Sequence, residues 1–452
     1  MKSVVQYPEG HVLLRSLVRP MPVIARGEGI YLFDTDGKRY VDASSGAMVV
    51  SVGHGNRHVA DAMHAQLMKV GYVNGTHFTS EPTEELAERL DAHVQRELPA
   101  FGASRAAFLC SGSEAVEAAI KFTRQLWMER GEAQRTKIIA RTPGYHGNTL
   151  YALSASGRPH YRTLYGPLLS KVLTTRAPVR YRSGLSSWDE AAADVYVDEL
   201  RALIESEGPE SICAFIAEPV IGSSAGAAVP PPGYFAKIRE LCDRYGILII
   251  ADEVLAGTGR CGTFFASHLT GLTPDVIVLG KGLGGGCAPL SSVIVRQAQL
   301  EEVRVGSGAF SHAQTYLQAP FITAAGVAVL DYFEKEQLLS HVTRVGQMLQ
   351  QALTEALAPL PHVGCVQGVG LLAGVELVAD KATREPFPRS QKVAERLAAT
   401  LFERGLIVWP NVGQANGVDG DLFMVAPPLV IKDDQIGDLA AALKKALEEF
   451  KV

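Results

Sequence analysis

Between residues 106 and 279 the chain repeats one pattern: a short run that is apolar almost throughout, then a connecting segment, in places with clear helical periodicity. The runs are 106–110, 137–141, 211–217, 246–251 and 275–279, and the clearest helical stretches are 113–127 and 233–245. A strand that is apolar at every position has no face for water, so both faces must be covered. Strands of that kind separated by helices predict an α/β fold with a mainly parallel sheet and helices on both sides. Residues 291–296 read as one more strand.

The regions outside this repeat differ. Residues 29–34 and 38–42 flank Thr35-Asp-Gly37, an Asp-Gly hairpin turn. Residues 46–55 are small and glycine-rich, which suits close approach of the backbone to another group. His54 and His58 are read as structural residues. Residues 59–70 and 83–98 have amphipathic helical spacing. Residues 156–188 interrupt the alternation, read as a long loop, and carry Arg158, Arg162, Arg176, Arg180 and Arg182. Loops of that length are often functional; a solvated excursion or a subunit contact fits equally well. After Thr315 come a long helical stretch, strands near 364–378, a helix near 391–404, strands near 406–409 and 421–426, and a helix from about 432 to 450. These form a separate α+β unit.

Composition narrows the function classes. The 452 residues are 47% hydrophobic and 20% charged, enough for a large core. A net charge of -5 argues against binding nucleic acid. No apolar run reaches the ~20 residues that span a bilayer, and residues 1–8 lack a signal-peptide core. The six cysteines are scattered without a C-x-x-C pair. They read as free thiols of a cytoplasmic protein, with no zinc site.

Five candidate features fall where strands end. In Cys110-Ser-Gly-Ser-Glu-Ala115 a helix begins directly after a strand. Its free N–H groups and the hydroxyls of Ser111 and Ser113 suit a phosphate, although a plain serine N-cap reads the same way. Asp252 closes the 246–251 run, where a carboxylate is costly unless it meets a cation; a cap or a metal ligand is the alternative. Tyr145, in Pro143-Gly-Tyr-His-Gly147, offers a flat face for a planar ring. Glu218 is another strand-end acid and is also read as a buried structural one. Lys281 follows the 275–279 run among glycines. Open α/β sheets place ligands there, and a desolvated lysine is a nucleophile toward carbonyls. The stretch Gly280-Lys-Gly-Leu-Gly-Gly285 also matches a dinucleotide fingerprint, but it leads into a strand where that fingerprint requires a helix. A tight turn with a solvated lysine is the remaining reading. Together, a phosphate cradle, an aromatic face, an acid for a ring nitrogen and a desolvated lysine are what pyridoxal phosphate needs.

The order of segments Asp34-x-Asp-Gly-x-x-Tyr-x-Asp42, Gly53-His54, Ser111-Gly-Ser-Glu-Ala115, Tyr145-His-Gly147, Glu218-Pro219, Asp252-Glu-Val254, Gly257-x-Gly-Arg260, Gly280-Lys-Gly282, Thr315-Tyr316 and Ala426-Pro-Pro-Leu429 resembles the class III, ω-amino-acid type aminotransferases of fold-type I. The resemblance runs from about Gly29 to Pro428. It implies a large pyridoxal 5'-phosphate domain, 56–318, with a mainly parallel seven-stranded sheet. A smaller α+β domain would come from both ends, 1–55 and 319–452. It implies that Lys281 forms the Schiff base and moves the proton, that Asp252 pairs with the pyridinium nitrogen, and that Tyr145 and Val254 hold the two ring faces. Gly112 and Ser113, with Ser111 beside them, would bind the phosphate. Glu218 would lie near the cofactor and His146 would support the site behind the ring. Thr315 would reach the phosphate of a neighbouring subunit, making a homodimer with shared active sites, or a tetramer built from it.

Two departures stand out. The family's Phe-Ser-His-Gly-His-Thr-Tyr is here Phe310-Ser-His-Ala-Gln-Thr-Tyr316, which keeps the threonine. Trp409 stands where many amine:pyruvate members have a carboxylate-binding arginine, and the loop 411–420 is longer than in those members. Carboxylate recognition is therefore expected from Arg158 or Arg162, with Trp409 as an apolar wall; Arg260 belongs to a segment that is often structural. The expected activity moves an amino group from an amine or ω-amino acid to a keto acid, pyruvate, by a ping-pong route. Alternatives are a racemase, aminomutase or dialkylglycine-type decarboxylase with the same cofactor, a dinucleotide-dependent oxidoreductase, or a non-catalytic binding protein.

Overall fold

A computed structural model describes residues 3–452. Its centre is a seven-stranded sheet in the order Ser104–Leu109, Ser291–Arg296, Val276–Leu279, Leu248–Asp252, Ile212–Ala217, Lys137–Thr142 and Leu173–Arg176. Ser291–Arg296 runs antiparallel to both neighbours, and the other pairings are parallel. The sequence runs lack alternation because both sheet faces are buried. Ile216, Ile250 and Val278 face the helix Gly112–Glu129. Phe215, Ile249 and Ala251 face the helices Glu190–Glu207 and Tyr234–Tyr245. The sheet therefore sits between two apolar layers, as the repeat predicted.

The reading of 156–188 as a loop is corrected. It holds the helix Pro159–Tyr165 and the edge strand Leu173–Arg176. That strand is Leu-Thr-Thr-Arg, alternately buried and exposed. Four half-polar residues make no apolar run, so the pattern that revealed the central strands could not reveal this edge.

Both chain ends contribute to the remaining sheets. The hairpin strands Tyr31–Asp34 and Arg39–Asp42 pair with Ile24–Glu28 on one side and, in parallel, with Leu406–Ile407 on the other. Val363–Val369, Leu372–Leu377, Asp421–Val425 and Trp409–Val412 form a four-stranded antiparallel sheet. The helices Arg57–Lys69 and Glu81–Glu97 pack against Pro320–Lys335, and one apolar cluster runs from Val59 and Leu86 through Val329 to Leu443. Among the described residues no helix is long and apolar enough to cross a membrane.

Candidate active site

Parallel strands deliver their carboxyl ends to one edge, and that edge collects the candidate residues. Asp252 is the last residue of its strand; Lys281 lies two residues beyond Leu279 and Glu218 one beyond Ala217. Tyr145 and His146 follow the strand ending at Thr142, and Ser111 to Ser113 follow the one ending at Leu109.

The core of the site is buried. Asp252 and His146 are both buried. Asp252 Oδ2 is 2.7 Å from His146 Nδ1, and Oδ1 accepts the Val254 N–H at 3.1 Å. The His146 N–H donates to Ser156 Oγ at 2.9 Å, fixing the ring's backbone. Burial pushes the Lys281 amine down to about 8, against the opposing pull of Asp252 and Glu218. Lys281 also has φ 41, a left-handed conformation unfavourable for a side chain and common at functional sites. Glu218 holds its surroundings: Oε1 accepts the Tyr145 N–H at 3.1 Å, Oε2 accepts the Gly222 N–H at 2.8 Å, and its carbonyl accepts from Arg141.

At the helix start, Ser111 Oγ accepts the Glu114 N–H at 3.2 Å, while Glu114 Oε2 accepts the Cys110 N–H at 2.9 Å. The Ser111 hydroxyl is therefore the helix cap. Ser113 Oγ donates to Asn148 Oδ1 and accepts the Asn148 N–H, each at 3.0 Å. Both hydroxyls are engaged, so the groups left facing an anion are the N–H donors of Gly112 and Ser113 at the positive end of an 18-residue helix. A Cβ on Gly112 would come within 2.8 Å of Val254 Cγ1, so only glycine lets the helix start lie against that side chain.

A cavity of about 870 Å3 opens beside Lys281, walled by Tyr145, Arg158, Tyr161, Trp409 and Met48. Arg158 lies over the Tyr145 ring at 4.6 Å and donates to Ser223 Oγ at 2.5 Å; burial pulls its pKa down. The expectation for Arg162 is corrected: it is not on this wall, and its Nη2 donates to the Ser154 carbonyl at 2.7 Å. The buried Arg260 donates to the carbonyls of Leu371 and Pro427, so it ties segments together. Thr315 is exposed and lies off this chain's cavity. Sequence reasoning missed Arg15 and Met48, which also line it. Arg15 sits in an N-terminal segment without periodicity, and Met48 in a strained turn where Ser45 and Met48 have φ 48 and 58; the glycine-rich composition of 46–55 was its only signal.

These residues fit pyridoxal phosphate. The anion cradle, the buried carboxylate and the desolvated amine converge on one edge, and His146 Nε2 is buried without a partner, as a second polar group held behind a ring would be. Among the described residues no three His, Cys, Asp or Glu side chains are grouped to hold a metal.

Fold and site together define a pyridoxal-phosphate enzyme of fold-type I. Residues 15–447 match the family described as aminotransferase class-III, and the chain belongs to that family. It is 39% identical to an uncharacterised aminotransferase of Schizosaccharomyces pombe over 429 residues, 94% of this chain and 92% of the relative. An (S)-enantioselective omega-transaminase from Thermomicrobium roseum superposes with a TM-score of 0.88 at 36% identity, covering 97% of this chain and 95% of that one. The omega transaminase of Pseudomonas jessenii, solved in complex with PMP, gives 0.87 at 33% identity, covering 95% and 93%. The protein is an aminotransferase and its cofactor is pyridoxal 5'-phosphate.

Proposed function

We propose that this enzyme transfers an amino group from an amine or ω-amino acid to a keto acid, pyruvate, by a ping-pong route. The observation that carries the reading is the cavity itself: the amine of Lys281 opens on a space lined by Tyr145, Tyr161, Trp409 and Met48, with the half-buried Arg158 on its wall and Arg15 and Glu395 also among the described lining residues. An apolar wall at Trp409 favours bulky, uncharged donors. Arg158 suits the keto-acid carboxylate, for which a guanidinium offers a two-pronged contact.

The geometry supports the following roles. When bound, the cofactor supplies an electron sink for the carbon that loses its proton. Lys281, whose amine burial brings down to about 8, is the residue that would hold the cofactor carbonyl and then carry the proton. Asp252 keeps the ring nitrogen protonated, and His146 fixes the carboxylate from behind. Gly112 and Ser113 hold the phosphate through backbone N–H groups. Tyr145 and Val254 pack the ring faces, and Glu218 holds the Tyr145 loop.

Thr315 completes the phosphate site of a second subunit in a homodimer. Its exposure supports this, as does the exposed aromatic pair beside it, the Tyr72 and Tyr316 rings 5.8 Å apart. The division into a domain at 56–318 and an outer domain from both ends is supported by the pairing of Leu406–Ile407 with Arg39–Asp42. Free cysteines at all six positions suit the cytoplasm. The test is a half-reaction: single amines added to pure enzyme should bleach the visible band of the lysine-bound cofactor, and pyruvate should restore it. A band that bulky amines leave unchanged would refute the donor class, and one that pyruvate does not restore would refute the acceptor.

A further inference from the structure

Two motif segments are left over by the transaminase reading: the one that ends at Asp42 and the pair Gly53-His54. They meet in space. Asp42 is fully buried, and its Oδ2 lies 2.8 Å from His54 Nε2. The histidine is itself fixed: its N–H donates to the Gly29 carbonyl at 2.8 Å and its carbonyl accepts the Gly29 N–H at 3.0 Å. The rest of the Asp42 carboxylate is turned on the chain just ahead of it. Oδ1 accepts the Ser44 N–H and the Ser44 hydroxyl, each at 3.2 Å, and the Gly46 N–H at 3.0 Å. Oδ2 accepts the same Gly46 N–H at 2.8 Å.

The turn so gripped has an unfavourable backbone. Ser45 and Met48 have φ 48 and 58, in the left-handed region, and Gly46 has φ 65 and ψ -106, a combination open mainly to glycine. Left alone, such a turn would relax to ordinary angles. Here it is clamped from two sides, by Asp42 on one and by Ser45 on the other. Ser45 Oγ donates to the Ala426 carbonyl at 2.6 Å and accepts from Arg260 Nη2 at 3.3 Å. The clamped turn delivers Ala47 and Met48 to the wall of the cavity beside Lys281. Met48 packs there in one apolar cluster with Leu255 and Trp409. Asp42 and His54 do not line the cavity themselves, so whatever they do for the substrate they do through the turn.

We propose that Asp42 and His54 are a positioning pair for donor selection: they hold the turn 44–48 in its strained form and so fix Met48 on the cavity wall. The inference rests on the reading that this cavity receives the amine donor. The test uses the cofactor-loaded enzyme with pyruvate and two donors, bulky 1-phenylethylamine and small 2-aminopropane. Asp42→Asn removes one of the two acceptor oxygens. Gly46→Ala acts on the turn directly, at an exposed position where a Cβ meets only Val49 at 3.8 Å, so its effect is conformational and the fold is spared. In each variant the kcat/KM ratio of the bulky to the small donor should fall at least ~5-fold, through the KM of the bulky one, as an apolar contact is lost. The double variant should lower the ratio no further than the worse single one, because both changes release the same turn. The visible band of the bound cofactor should keep its position, since neither residue reaches the strand-end site. If Asp42→Asn does not fold, Gly46→Ala decides. The proposal is overturned if the ratio is unchanged in the folded variants, or if both donors lose equally while the cofactor band shifts, which is the mark of a merely structural pair. A wild type that does not turn over 1-phenylethylamine refutes the donor reading itself, and this inference with it.

Discussion

The two sides of the active site are built differently. The cofactor side takes its residues from the ends of neighbouring strands, within a layer buried on both faces. Its polar groups hold one another: Asp252 to His146, Glu218 to the Tyr145 backbone, Ser111 to Glu114. The proposed substrate side is assembled from distant pieces of chain, with Arg15, Met48, Arg158 and Trp409 meeting only because separate elements pack around the cavity mouth. Sheet topology dictates the first arrangement, so it can be altered only by damaging the sheet. The second depends on loops and edges and can change residue by residue. On the proposed reading the chemistry is anchored at the strand ends and the choice of substrate in the loops and edges around the cavity mouth.

The sharpest way to break this contrast is to remove the cofactor-side groups. Lys281→Ala should lower turnover by a factor on the order of 10⁴ or more, since a nucleophile that acts as a unit with its surroundings is lost. Circular dichroism should report an intact fold, because only the amine is needed at that turn. Substantial transamination at saturating cofactor would sink the assignment. Asp252→Asn should cost about 10²–10³ in kcat, the range for one preorganised electrostatic group. The amide can still meet His146 but cannot hold the pyridinium proton. Near wild-type kcat would mean that the ring is oriented otherwise.

The same division decided what could be read from the sequence. The central strands were legible because burial on both faces writes an unbroken apolar run. Their ends were legible because Asp252, Glu218 and Lys281 are polar exactly where such runs stop being able to hide them; each is conspicuous against its neighbours. The edge strand Leu173–Arg176 left no such mark. Arg158 and Arg162 looked equivalent, four positions apart in one arginine-rich stretch. Only packing turned Arg158 over Tyr145 and tied Arg162 to the Ser154 carbonyl. Arg15 carried no local pattern at all, since its place depends on where an irregular N-terminal segment comes to rest.

Burial of Lys281 also has a measurable cost in the cofactor-free protein. Its folded pKa, about 8, lies below the ordinary 10.5. Between those values the unfolded chain binds the proton and the folded chain does not, so unfolding free energy rises with pH across that window. Below about pH 8 the amine is charged in both states and the penalty is felt in full. Lys281→Met should therefore be more stable than wild type near pH 7, by up to ~3 kcal/mol. The advantage should shrink as pH approaches 10.5. Denaturant melts of both proteins at several pH values check this, and a difference independent of pH would show that the lysine is not desolvated.

The smallest expected effect tests the substrate side, where the contrast is most easily sharpened. Arg158 lines the cavity with its guanidinium over the Tyr145 ring and with Ser223 and Tyr161 as neutral hydrogen-bond partners, so no carboxylate is paired with it there. Arg162 is off the cavity wall and gives one donor to a backbone carbonyl. Arg158→Ala should raise the Michaelis constant for pyruvate at least ~10-fold, about 1.4 kcal/mol of binding. Kinetics with an uncharged amine donor should barely change, because that half-reaction presents no carboxylate. Arg162→Ala should leave the pyruvate constant alone and cost about 1 kcal/mol of stability from the lost hydrogen bond. If Arg162→Ala weakens pyruvate and Arg158→Ala does not, the acceptor is held from the Pro159–Tyr165 helix. If neither does, the remaining cation on the wall is Arg15, and the strand-end site would take its acceptor from the N-terminal segment of the chain.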